Sequence, residues 1–179
     1  MEQSVEIVDK AAMKRALTRM TYELIERNKG IHDIVIVGIK TRGAWLGQRM
    51  VDRIKELEGV EVPFVELETK AYRDDQVVQM ADRQALHESI GQDFTGKHIF
   101  LVDDVLYTGR TIRAAMDAIM DNGRPQRISL VVLVDRGHRE LPIRPDIIGK
   151  NIPTSRHEKV TVHLEEIDGE DRVVLHKPE

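Results

Sequence analysis

The chain predicts an α/β fold, a mostly parallel central sheet with helices on both faces, and three observations carry that prediction. Two segments repeat a strand–loop–helix pattern, Ile34 to Leu57 and Ile99 to Asp121. Strands and helices alternate along the rest of the chain, the mark of βαβ units wound with right-handed crossovers. At 179 residues the chain forms one domain, 1–179, large enough to bury its apolar surface without staples. It has no cysteine, so disulfides and thiolate metal sites are excluded.

The elements follow in order. A helix is expected over 11–28, with Met13, Ala16, Leu17, Met20 and Leu24 on its inner face and Arg15, Arg19 and Arg27 outside. Ile34-Val35-Ile36-Val37 marks a buried strand over 33–38, followed by a helix over 43–57 whose inner face carries Ala44, Gly47, Met50, Val51, Ile54 and Leu57. A strand over 62–69 leads into a polar stretch, 73–95. With little apolar content and a length beyond that of a plain connection, the segment from about 72 to 94 reads as a flexible lid. Tyr72-Arg73-Asp74-Asp75 and Arg83 are placed to close over a ligand. A strand over 98–103 and a helix over 111–121 come next, stopped by Asn122-Gly123 and Pro125. The last third holds a strand over 128–134, a Pro- and Gly-marked loop over 137–154, and a strand pair over 159–166 and 171–176.

Residues 99–111 carry the most chemistry. Apolar residues run into Asp103 and Asp104, then into a turn from Val105 through Leu106, Tyr107, Thr108, Gly109 and Arg110 to Thr111. Carboxylates at the carboxyl end of a parallel strand accept hydrogen bonds and suit ribose hydroxyls. Backbone N–H groups turned inward around Gly109, with two threonine hydroxyls, suit a phosphate. A 5-phosphorylated ribose offers both partners at once, either as 5-phosphoribosyl-1-pyrophosphate (PRPP) or as a nucleoside monophosphate. Thr41 and Arg42, in the loop after the first buried strand, suit a pyrophosphate group at a helix N-terminus.

Net charge is −4, which argues against nucleic-acid binding driven by overall field. Its distribution is uneven. Arg136, Arg139, Arg144, Lys150, Arg156 and Lys159 outnumber Glu140, Asp146 and Glu158 in one segment. No apolar run reaches membrane-spanning length, and the N-terminus lacks a basic segment followed by an apolar core, so a cytoplasmic protein with no membrane partner is expected.

The 99–111 string resembles the PRPP motif of type I phosphoribosyltransferases. Further strings are similar to the pyrimidine operon attenuation regulators with uracil phosphoribosyltransferase activity, the PyrR family. These are Arg15 to Arg19, Glu26 to Gly30, Val37 to Gly43, Tyr72 to Asp75, Val134 to Arg144 and Gly149 to Ser155. Val134-Asp135-Arg136-Gly137-His138-Arg139-Glu140-Leu141-Pro142-Ile143-Arg144 is the most particular of them.

The resemblance implies a type I phosphoribosyltransferase fold with a small hood, catalysing uracil + PRPP → UMP + pyrophosphate with Mg²⁺ held mainly through PRPP. It also implies UMP-dependent binding of pyrimidine operon leader mRNA, and a homo-oligomer, a dimer at least. Asp103 and Asp104 would hold the ribose, Val105 to Thr111 the 5′-phosphate, and Thr41 with Arg42 the pyrophosphate. Arg136 would meet the exocyclic oxygen of the base, with backbone at Val160 completing its edge. Asp104 and Arg42 are the catalytic candidates, through electrostatic stabilisation of a sugar cation and of the leaving group. Thr18, Arg19, Arg27, Arg139, Arg144 and Lys150 would face RNA. A salvage phosphoribosyltransferase with no RNA-binding role is the alternative.

Overall fold

A computed structural model describes residues 3–72 and 90–179. The elements are β1 (Gln3–Val8), α1 (Lys10–Asn28), β2 (Ile34–Ile39), α2 (Arg42–Glu58), β3 (Phe64–Leu67), a 3₁₀ turn (Lys70–Tyr72), β4 (His98–Leu106), α3 (Arg110–Met120), β5 (Arg127–Asp135), β6 (Ile147–Asn151), β7 (Lys159–His163), a helical turn α4 (Glu165–Asp168) and β8 (Arg172–Lys177). Five strands form a parallel sheet in the order β3-β2-β4-β5-β6, and β1-β8-β7 form a separate antiparallel sheet, the hood.

Period-two alternation divides the parallel sheet between two cores. Ile34 and Ile36 of β2 and Phe100 and Val102 of β4 pack with Met13, Leu17, Met20 and Leu24 of α1, with Met50 and Ile54 of α2, and with the hood. Val35, Val37, Ile99 and Leu101 face the other way, against Ile112, Ala115 and Ile119 of α3. Both faces are covered, so the strands read as continuous apolar runs. Asp9 starts α1 by accepting from the Ala12 N–H at 2.8 Å, and Lys29 ends it in the left-handed region at φ 53°.

The observed elements depart from the expected ones in five places. β1 was not anticipated, because its first four residues are exposed and give no buried face to the pattern. The loop expected over 137–154 contains β6, a short edge strand with only Ile147 buried. β4 runs to Leu106, so the paired acids lie within the strand rather than beyond it. The strand expected over 159–166 stops at His163, and Leu57 is an exposed residue of α2 rather than part of its inner face.

Most of the expected lid, including Arg73, Asp74, Asp75 and Arg83, lies outside the described residues. Its two ends are anchored. Tyr72 is buried and its hydroxyl donates to Asp121 Oδ2 at 2.6 Å, and Phe94 is buried against the α3 core.

Candidate active site and basic face

Parallel strands end their hydrogen bonding on one edge, and ligands of open α/β sheets bind beyond it. A cleft of about 400 Å³ lies there, lined by Ile39, Lys40 and Thr41 after β2, Glu68, Thr69 and Lys70 after β3, Asp103, Asp104 and Val105 of β4, and Thr111 of α3. The Lys40–Thr41 peptide is cis. Asp103 is 8 % exposed, and its Oδ1 accepts from the Asp104 N–H at 2.8 Å. Asp104 Oδ1 in turn accepts from the Val105 N–H at 2.8 Å. Burial, followed by the adjacent Asp104 charge, pushes the Asp103 carboxyl well above the usual carboxylate range.

The N-terminus of α2 is packed hard against this acid. A Cβ on Gly43 would stand 2.5 Å from the Val102 carbonyl oxygen and 3.1 Å from Asp103 Oδ1, so only glycine fits. Across the cleft, Gly109 takes φ 93° and turns the chain from Leu106 into α3, at whose N-terminus Thr108 Oγ1 accepts from the Arg110 N–H at 3.4 Å.

A second layer backs this loop. Arg139 Nη1 donates to the Tyr107 carbonyl at 2.7 Å, Nη2 to Asp135 Oδ2 at 2.7 Å, and Nε to the Ile143 carbonyl at 2.7 Å. The Glu140 N–H donates to the Thr108 carbonyl at 2.9 Å, and the Glu140 carboxylate takes Arg110 Nε at 3.1 Å.

Arg42, Arg136 and Val160 do not line the cleft. Arg42 is committed to the hood, donating Nε to the Val162 carbonyl at 2.8 Å and Nη2 to Asp168 Oδ1 at 3.0 Å. Arg136 is buried, with its guanidinium 4.1 Å from the Tyr107 ring centroid and Nη2 donating to the Ser155 and Glu158 carbonyls at 3.1 and 2.8 Å. Its buried Nε has no acceptor among the described residues. Val160 is buried in β7 opposite Leu175 of β8.

The expected RNA-facing residues divide into groups. Arg19 and Arg27 leave α1 for the strip that carries β6. Arg19 Nη2 donates to the Ile148 and Gly149 carbonyls at 3.0 and 2.8 Å, and Arg27 Nη2 donates to the Asp146 carbonyl at 2.9 Å. Lys150 of β6 reaches the Ile7 carbonyl at 3.2 Å, and exposed Arg144 precedes the strand. Arg19, Arg27 and Lys150 thus meet around β6, although well over a hundred residues separate the two arginines of α1 from Lys150, and Arg144 lies three residues before the strand. Thr18 turns toward α2, accepting from Arg53 Nη2 at 3.0 Å. Arg139 sits behind the turn that leads into α3 instead.

Lys40, Glu68, Thr69 and Lys70 were not singled out from sequence. Their signal is positional, since each follows the carboxyl end of a parallel strand, and it becomes visible only once strand order is known. Among the described residues no group of three or more His, Asp or Glu could hold a metal ion, and no helix is long and apolar enough to cross a membrane.

Residues 3–166 match the family model for the phosphoribosyl transferase domain. The chain is 61 % identical over 173 residues to the bifunctional protein pyrR of Enterococcus faecalis, covering 96 % of each chain. To the bifunctional protein PyrR of Ligilactobacillus salivarius it is 59 % identical, covering 96 % of this chain and 98 % of that one. Among solved structures, the hypoxanthine phosphoribosyltransferase of Trypanosoma cruzi superposes with a TM-score of 0.71 at 18 % identity, and a hypoxanthine-guanine phosphoribosyltransferase of Bacillus anthracis with 0.72 at 15 %, each covering 97 % of both chains. At those identities the structures speak for the fold. A phosphoribosyltransferase domain match over nearly the whole chain, joined to this level of identity with bifunctional relatives, shows that the chain belongs to the PyrR family.

Proposed function

We propose that the chain transfers the 5-phosphoribosyl group of PRPP to uracil, giving UMP and pyrophosphate, and that with UMP bound it binds pyrimidine operon leader mRNA and so ends transcription early. The observation that carries the enzymatic half is the cleft that joins buried Asp103 and half-buried Asp104 to a helix N-terminus turned by Gly109. Ribose hydroxyls donate to Asp103 and Asp104, while the 5′-phosphate takes the Thr108 to Thr111 N–H groups and hydroxyls.

The reaction breaks the C1–oxygen bond to pyrophosphate, forms the bond from C1 to uracil N1, and releases the N1 proton. Cation character develops at C1 on the way, and Asp104 is the nearby negative charge that favours it. Lys40 and Thr41 face the departing pyrophosphate from the cleft wall, with Arg42 behind them. The paired carboxylates suit Mg²⁺, which keeps several waters and is held chiefly by substrate oxygens. When bound it supplies charge neutralisation to the pyrophosphate. Arg136 brings an unused N–H to the base side, next to the hood strand that contains Val160.

The regulatory half is supported by Arg19, Arg27 and Lys150 around β6, with Arg144 just before the strand. We also assign the chain to a dimer or higher homo-oligomer in a cytoplasmic setting.

Two measurements test this reading. Purified protein given uracil, PRPP and Mg²⁺ should form UMP only with both substrates, and absence of product overturns the enzyme. Leader RNA titrated with and without UMP should bind more tightly with it. In Arg27→Ala the slope of log K against log salt should become shallower by about 0.7, the single-strand value for one phosphate contact. RNA affinity that ignores UMP in the wild type reduces the protein to a salvage enzyme.

A further inference from the structure

The cations of the Arg136 to Lys159 segment are not equivalent: Arg136 is buried, and Arg139 also turns inward. Arg139 spends every arm of its guanidinium on fixed acceptors: the Tyr107 carbonyl in the phosphate loop, the Asp135 carboxylate at the end of β5, and the Ile143 carbonyl in its own segment. Its stem lies over the turn, since a Cβ on Gly109 would stand 3.5 Å from Arg139 Cδ and 3.5 Å from Ile143. Three of its five N–H donors are so engaged, one on each nitrogen, which fixes the plane of the guanidinium.

We propose that Arg139 is a positioning residue that ties phosphate occupancy of the 107–111 loop to the placement of Arg144, without itself touching RNA. The proposal rests on the nucleotide and RNA reading above and names the device that joins its two halves.

The connection can be followed bond by bond. Tyr107 belongs to the loop that turns around the 5′-phosphate, and Arg139 bonds its carbonyl oxygen. The same guanidinium holds the Ile143 carbonyl, and Arg144 is the next residue. Two residues further, Asp146 is fixed to β5 by its N–H to the Leu130 carbonyl at 2.8 Å and by its Oδ2 from the Leu130 N–H at 2.8 Å. The Asp146 carbonyl also receives Arg27 of the basic face. Arg144 thus stands on a short span pinned at one end to the phosphate loop and at the other to the RNA-facing strip. Glu140 reinforces the first pin through the Thr108 carbonyl and Arg110.

A phosphate that orders the loop therefore orders the span, and a span already held by RNA presents a loop already formed for phosphate. Linkage requires the two effects to be equal in free energy.

Arg139→Lys and Arg139→Gln separate this role from a direct contact. Lysine keeps the charge but loses the fork, so it rescues a point-charge contact with RNA and fails to rescue a three-armed clamp. Calorimetric titration with UMP and with uridine isolates the phosphate. In both variants the dissociation constant for UMP should rise on the order of tenfold or more while that for uridine stays unchanged. The factor by which UMP tightens leader RNA should shrink in both, with the salt slope of RNA binding unchanged. Arg144→Ala is the comparator, with a slope shallower by about 0.7 and an unchanged UMP-to-uridine ratio.

The proposal is overturned if Arg139→Lys behaves as wild type while Arg139→Gln shows the shallower slope, or if the UMP-to-uridine ratio is preserved in both variants. Should Arg139→Gln fail to fold, the lysine variant alone still decides, because the two roles predict opposite outcomes for it. A wild type that holds UMP no better than uridine overturns the nucleotide reading itself, whereas a discriminating wild type beside equally discriminating variants overturns only the role of Arg139.

Discussion

Asp103 is a carboxylate held where a carboxylate is expensive. Its burial and the charge of Asp104 raise its pKa, so the folded protein holds this proton more tightly than the unfolded chain does. As pH climbs from about 4, the unfolded chain gives up the proton first, and stability declines until the raised pKa is passed. Asparagine keeps the acceptor for the Asp104 N–H and removes the charge. Asp103→Asn should therefore melt higher than wild type at neutral pH and lose that decline, while its kcat/KM for PRPP falls by on the order of 10- to 100-fold, the worth of a charge-assisted hydrogen bond. Thermal melts across pH beside a PRPP assay check both halves, and identical melting curves would contradict the assignment. The acid pair was legible because its setting, strand before and glycine turn after, is unusual. Lys40 and Glu68 were not, since a single charge after a strand looks like any solvated loop until a neighbouring strand brings it to the same cleft. Arg42 shows the reverse. Its motif was legible, but its bonds to Val162 and Asp168 depend on how the expected C-terminal strand pair sits against α2, which no local pattern announces.

Secondary-structure elements meet at His98, the first residue of β4. The ring bonds Asn28 Oδ1 of α1 at 3.1 Å and Ser129 Oγ of β5 at 2.7 Å, and lies 4.1 Å from the Phe100 ring. Burial, then the nearby Arg127, lowers its pKa, with Asp146 opposing and Arg27 adding to the effect. A depressed histidine contributes stability that is whole above about pH 6.5 and is lost as pH falls through the folded pKa. This slope is opposite in sign to that of Asp103, so single variants resolve the two. In His98→Gln, denaturant unfolding should show a weaker fall in stability between about pH 6.5 and pH 5 than in wild type. An unchanged pH profile would mean that the ring is not the titrating group. Elements with strong periodicity, β2, β4, α1 and α2, were legible because both cores impose their spacing on the sequence. β1 and β6 were not, being edge strands with few buried residues, and the partner of β1 lies at the other end of the chain.

For the whole molecule, two sheets must stay registered, and α2 does much of the joining. Its Arg42 bonds Asp168, and its Arg49 bonds Glu166 and Asp171 beside the hood. The alternation of strands and helices announced the parallel sheet, but nothing local announced that Gln3–Val8 would close against the last strand. One of the two flanking strands of that parallel sheet is β6, with β3 at the other side. Unpaired strand edges are templates for joining another chain, and proteins blunt them with charge. Arg19 does so by occupying two carbonyls of β6, and Lys150 adds a cation on the strand itself. Arg19 and Lys150, proposed above for RNA, therefore also guard against fibrous self-association. Arg19→Ala should sediment as larger, concentration-dependent species where Arg19→Lys does not, and equal sedimentation would remove the guarding role. If it holds, drift at this position is limited twice over: a substitution that spares the regulator must also keep the chain from polymerising through its own sheet.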